Sequence, residues 1–284
     1  MLKKMKTPSN STQTPRAWSS RTKRWTPGRL VVMAASLVAC VASAQSPVTV
    51  SSTPTADAFV RSADPTHNYG GGGALSVSGS AAVNGSGQQN GSFDSLMRFS
   101  LNGAVSSFDA AFGAGNWTLS SAKLWLTEVA APTSTMFNRG VGSFEVRWMA
   151  NDGWGEGTGT PSAPTTDGVT YNDLPSLTPV ASTVSLGTFA NAGQNTQQAF
   201  ALPLNDSTFL SDLMSGGSVS FYLTAASPGV GFTFNSRSFG TVSGRPFLEV
   251  TAVPEPGVTA LLALGGLGLV GRRVWRRSRG NERH

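Results

Sequence analysis

Two stretches of the chain alternate apolar and polar residues with a period of two. Ala122, Leu124 and Leu126 alternate with Lys123, Trp125 and Thr127, and Phe144, Val146 and Trp148 alternate with Glu145, Arg147 and Met149. A period of two sends successive side chains to opposite faces, so each stretch predicts a strand with one face in a core and the other towards solvent or a partner. Extended runs at 48–50, 57–61, 74–77, 95–101, 180–186, 198–202, 218–224, 231–235 and 247–252 predict further strands, separated by turn-forming residues. Helical spacing is clearest at 206–214, where Phe209, Leu210, Leu213 and Met214 share one side and Asn205 or Asp206 offers an N-cap. A helical turn is expected at 105–112. About ten strands and one short helix predict an all-β, two-sheet sandwich in one domain of roughly 205 residues, long enough to bury a full core.

After the second alternating stretch the pattern stops. Residues 151–161 and 164–172 are too rich in Gly and Pro to continue either element. Trp154 and Glu156 stand between glycines there, and an indole is normally pinned by packing, which predicts an ordered loop. Three of its side chains are candidates for contact with a ligand or calcium. Asp152 and Glu156 offer hard oxygen ligands, and Trp154 offers a ring face for a sugar. The competing roles are turns or caps for the carboxylates and packing over the sheet edge for Trp154. Trp125 and Arg147, opposite the aliphatic faces, either line a concave carbohydrate surface or pack under a loop. Asp57, Arg61 and Arg98 read as structural partners: Asp57 and Arg61 in a salt bridge or in hydrogen bonds to the loop at Asn68, Arg98 against a carboxylate. Residues 81–91, with two Asn-Gly pairs, form either a hairpin or a mobile loop.

Charge changes the picture only once it is located. A net charge of +6 and a pI near 10.0 point to nucleic acid. Yet residues 1–44 carry eight Lys/Arg and no Asp/Glu, and residues 272–284 carry six Arg and one Glu, which leaves seven basic against fourteen acidic residues between them. A body of net −7 repels polyphosphate, so nucleic acid is excluded as a partner.

The basic ends are address labels. A basic region reaching Arg29 precedes an apolar stretch at 30–41 and then Ala42-Ser43-Ala44, small where a signal peptidase reads, so 1–44 is expected to be a signal peptide cut after Ala44. Cys40, the only cysteine, also sits in a sequence resembling a lipoprotein box. Cleavage after Ala44 leaves no thiol, and stability then rests on burial or bound ions. At the other end, residues 257–271 are apolar or glycine apart from Thr259, followed by Arg272, Arg273, Arg276 and Arg277. As a helix they span roughly 22 Å, short of a hydrocarbon core of about 30 Å, and the arginines belong on the cytoplasmic side.

This tail, with Pro254, Glu255 and Pro256 before the apolar segment, closely resembles the PEP-CTERM sorting signal of Gram-negative bacteria. The resemblance implies handling of 253–284 by an exosortase, transient anchoring in the inner membrane, and association with extracellular polysaccharide or biofilm. Within 45–252, Asp57-Ala-Phe-Val-Arg61, Asn68-Tyr-Gly70, Leu96-Met-Arg-Phe99, Ser121-Ala-Lys-Leu-Trp-Leu126 and Trp154-Gly-Glu-Gly-Thr158 resemble successive blocks of the DNRLRE-type domain. That resemblance implies a jelly-roll sandwich of the carbohydrate-binding-module type, similar to alginate- and pectate-binding modules, and an extracellular polysaccharide as partner, with calcium as the one cofactor to consider.

Enzymatic readings find little support. Once the tail is removed only His67 is left for a Ser-His-Asp arrangement, there is no Gly-x-Ser-x-Gly, and a zinc site would lack ligands. Asp152 with Glu156, or Asp167 with Asp173, are the carboxylate pairs that remain for acid–base cleavage of a glycosidic bond. The expectation is a non-catalytic exported protein at the cell surface or in the matrix that interacts with exopolysaccharide. The alternatives are a structural matrix protein without a ligand and a polysaccharide-degrading enzyme.

Overall fold

The computed structural model describes residues 45–129, 135–190 and 195–255. Ala42, Ala44, Cys40, Pro256, the apolar 257–271 segment and Arg272, Arg273, Arg276 and Arg277 lie outside them. No helix among the described residues is long and apolar enough to cross a membrane.

The chain begins with β1 (Val48–Ser52), β2 (Pro54–Arg61), β3 (Ala74–Ser78), β4 (Val83–Asn84) and β5 (Phe93–Ser100). Helix α1 (Asn102–Phe112) leads into β6 (Trp117–Thr127), β7 (Asn138–Arg139) and β8 (Ser143–Met149). A long loop and the short α2 (Leu174–Leu177) precede β9 (Thr183–Ala190) and β10 (Gln197–Leu202). Helix α3 (Ser207–Ser215), β11 (Ser218–Ala225), β12 (Gly231–Asn235) and β13 (Phe247–Pro254) complete it.

These strands form a sandwich. One sheet has the order β1-β13-β6-β10; the other has the order β12-β3-β5-β11-β8-β9, with β2 also paired to β5. All the pairings are antiparallel. The period of two decides which side chains meet between the sheets. Ala122, Leu124 and Leu126 of β6 and Leu248 and Val250 of β13 face Phe144, Val146 and Trp148 of β8 and Val219, Phe221 and Leu223 of β11. Phe144 lies at its centre, with ring centroids 5.2 Å from both Phe200 and Phe234. Each such ring removed from water stabilises the fold by about 1.5–3 kcal/mol.

The helices cover the core's margins. Asp206 caps α3, accepting from the backbone N–H groups of Thr208 and Phe209 as the sequence suggests. Helix α1 runs three residues earlier than expected, from Asn102. Its start has no side-chain cap, so the polar signal that marks a helix N-terminus is missing. Two indoles are held by helix carboxylates: Trp117 Nε1 donates to Asp109 at 2.7 Å, and Trp148 Nε1 to Asp212 at 2.7 Å. Residues 81–91 are a tight hairpin-like turn, with Asn84 Oδ1 accepting from the N–H groups of Ser86 and Gln88.

The outer faces of the two sheets differ. On the four-stranded sheet Lys123 pairs with Glu249 at 3.0 Å and Trp125 stacks on Phe247, leaving a half-exposed surface. On the seven-stranded sheet a second apolar cluster forms instead. Ala56, Ala58, Val60, Leu96 and Met149 point outward and are covered by Trp154, Val169 and Leu174 of the glycine-rich loop and α2.

Candidate functional site

The glycine-rich loop is clamped to the sheet at three points. Arg98, on the outward face of β5, donates to the carbonyls of Asp152 at 2.6 Å and Trp154 at 2.9 Å, with its guanidinium 5.2 Å from the Trp154 ring centroid. It therefore holds two backbone carbonyls where the sequence suggested a carboxylate. Trp154 is 4% exposed, and its indole N–H goes to Ser220 Oγ, which in turn donates to Asp152 Oδ1.

Asn68 makes the second clamp and is wholly buried. Its amide donates to the carbonyls of Glu156 (2.7 Å) and Val169 (2.8 Å), while Oδ1 accepts from the N–H groups of Gly70 (2.9 Å) and Gly159 (3.4 Å). The loop can approach so closely only because it is glycine. Gly157 has φ +76°, and a Cβ there would sit on Asn68 Oδ1.

The third clamp is ionic. Glu156 takes a bidentate pair from Arg237, with Nε at 2.5 Å, and also accepts from the Asp57 N–H at 3.2 Å. Asp57 accepts the Arg237 backbone N–H at 2.6 Å, and its Oδ1 is buried without a partner. Burial pushes this carboxyl up to about 7; the Arg237 N–H opposes the shift and the Glu156 charge adds to it. Arg61 pairs with Asp64 and Tyr69 instead of with Asp57. Asp167 caps Thr158 and Thr165, and Asp173 forms a capping box with Thr170.

Where this loop ends, the outer face opens into a groove of about 360 Å³. Its walls are the half-buried Tyr171 of the loop and Tyr222 of β11, and its floor is Asp94 of β5. Ser78, Ser92 and Thr224 add hydroxyls. Asp94 accepts hydrogen bonds from Thr224 and Tyr222, yet burial outweighs them and raises its pKa to about 6. The Tyr222 phenol is pushed well above its ordinary range by burial and by the Asp94 charge, so it stays a donor. No lining side chain is cationic. Stacking surface, hydroxyls and one acceptor are the equipment for holding a polyol.

A comparison with protein-family profiles matches residues 48–252 to carbohydrate-binding module family 96. The chain belongs to that family. A PEP-CTERM protein-sorting motif matches residues 252–278, and a comparison with curated proteins finds no match. The DNRLRE-type blocks and family 96 describe the same kind of domain. Membership indicates carbohydrate binding, and the motif indicates export to the cell surface with exosortase processing.

In this family 96 module the three loop residues singled out from sequence lie outside the lining of the groove, to which the loop contributes Tyr171, and each is already committed to a neighbour. Trp154 offers no open ring face, and the side chains of Asp152 and Glu156 are bonded to Ser220 and to Arg237. Among the described residues no group of three or more His, Cys, Asp or Glu is placed to hold a metal. Arg147 pairs with Glu145 and Thr183 on the outward face of β8. Asp94, Tyr222 and Arg237 escaped the sequence reading. Alternation does put Asp94 on the same face as Leu96 and Arg98, and a second charged residue on that strand face was the available signal.

Proposed function

We propose that the groove between Tyr171 and Tyr222 holds a neutral, hydroxyl-rich glycan. The observation that carries this reading is the lining: two phenol rings, a single buried carboxylate and several hydroxyls, with no cation. Sugar rings present C–H faces that suit aromatic walls and hydroxyl rims that suit acceptors. Asp94, ionised at neutral pH, accepts sugar hydroxyls and repels a uronate or a phosphate. It is also the only carboxylate in the lining, whereas glycosidic hydrolysis uses a pair flanking the bond. On this reading the module binds the glycan without cleaving it.

Residues 1–44 serve as a signal peptide, cut after Ala44. Residues 253–284 are the sorting tail: an exosortase acts near Pro254, Glu255 and Pro256 while 257–271 sits in the inner membrane of a Gram-negative cell, with the arginine cluster in the cytoplasm. The delivered module then engages exopolysaccharide in a biofilm matrix.

Affinity electrophoresis tests the binding claim. Gels containing a neutral β-glucan or galactomannan are expected to retard the protein, and Tyr171→Ala to raise the apparent Kd about tenfold. Retardation only by alginate or pectate, or identical mobility of the Tyr171→Ala variant, overturns the assignment.

A further inference from the structure

A second cavity, of about 270 Å³, shares no lining residue with the groove. It lies where the end of β6 meets the start of β10 and the turn between β12 and β13. Its walls include Thr127, Gln197, Asn235, Phe239 and Thr241, and no lining side chain is charged. Two of these residues are more than nine-tenths buried and carry an oxygen with no partner: Thr127 Oγ1 (8% exposed) and Asn235 Oδ1 (3% exposed).

The amides around them are fixed. Asn235 Nδ2 donates to the Gly244 carbonyl at 2.9 Å and Gln197 Nε2 to the Ser243 carbonyl at 3.0 Å. Fixing the Asn235 nitrogen in this way leaves its oxygen as an acceptor awaiting a donor. A buried acceptor without a donor is unfavourable, and native interiors seldom keep one unless something else supplies the proton. Phe239 adds an apolar wall. Two residues back along β6, on the same face as Thr127, Trp125 lies nearly parallel to Phe247 with centroids 5.3 Å apart and planes 15° apart. Trp125 Nε1 also lacks a partner. Paired flat rings beside an uncharged, acceptor-bearing cavity match the alternating C–H faces and hydroxyl rims of a sugar chain.

We infer that this cavity and the adjoining Trp125–Phe247 surface form a second site for a neutral oligosaccharide, so that one copy of the module grips two glycan segments. The inference rests on the neutral-glycan class proposed above but not on the residues of the first groove. Two sites on one body convert weak contacts into avidity on a polymer and allow chains to be cross-linked.

Titration calorimetry of the purified full chain with cellohexaose, laminarihexaose and mannohexaose separates the two readings. With the hexasaccharide that binds, wild-type protein is expected to take up two molecules per chain. Thr241→Trp, at the exposed rim, and separately Gln197→Ala, are each expected to remove one of them without shifting the melting temperature. Tyr171→Ala removes the other. A single binding event that survives both Thr241→Trp and Gln197→Ala overturns the second site. Binding that ignores Tyr171→Ala but vanishes with Thr241→Trp leaves the second site standing and sinks the first groove. No heat with any of the three sugars overturns both.

Discussion

Burial disfavours ionisation of several carboxyls in the body, and two of them, Asp57 and Asp94, do different jobs. Asp57 ties β2 to the turn carrying Arg237, and Asp94 forms the floor of the groove. Both pKa values are raised above the ordinary 3.8, to about 7 and about 6, mainly by burial. The folded state therefore holds these protons more tightly than the unfolded chain does, so their contribution is full below about pH 4 and is lost as pH rises through 6 to 7. Urea denaturation at about pH 4 and about pH 8 is expected to give a shallower decline for Asp57→Asn than for wild type. Equal declines would show that Asp57 does not titrate in this window. The structural role of Asp57 was legible from sequence but its partner was not, and the role of Asp94 was not legible at all. The groups that set them, Arg237 for Asp57 and Tyr222 with Thr224 for Asp94, lie more than a hundred residues away along the chain. Trp154 shows the opposite case, since an indole among glycines already announced a packed loop, and the structure supplies the packing.

At the level of elements, strands were readable where one face is apolar, because alternation follows from burial alone. Boundaries slipped where the local signal is absent, as at the uncapped start of α1, and where Pro179 turns Val180–Ser182 into a 3-10 segment before β9 begins. The glycine-rich loop is the element that gives the seven-stranded sheet its working face. Its order depends on Asn68, whose side chain satisfies four backbone groups from two separate segments. Asn68→Ala is expected to cost about 3 kcal/mol in chemical denaturation, because buried donors and acceptors are left unpaired. It should also make the loop the first point of proteolytic attack. A loss below about 0.5 kcal/mol would mean that the Arg98 and Arg237 clamps hold the loop without Asn68.

The whole molecule divides its charge by purpose. The sandwich carries the acidic charge, and in the proposed scheme the two basic ends direct its passage through the membrane and are then removed. Mass spectrometry of the protein recovered from cell surfaces is expected to find an N-terminus at Gln45 and a C-terminus near Pro254 to Pro256. An intact arginine tail on surface protein would contradict the sorting proposal. The sandwich and the sorting motif were both visible in the sequence, since each depends on local pattern or motif order. The groove was not, because it exists only once β5, β11 and the end of the loop are brought together.

Hydroxyl-radical footprinting with and without a bound neutral hexasaccharide bears most directly on the claim that this assembled surface holds sugar. The account predicts protection of Tyr171 and Tyr222 when the sugar is present. Unchanged oxidation of both tyrosines at saturating sugar would contradict it.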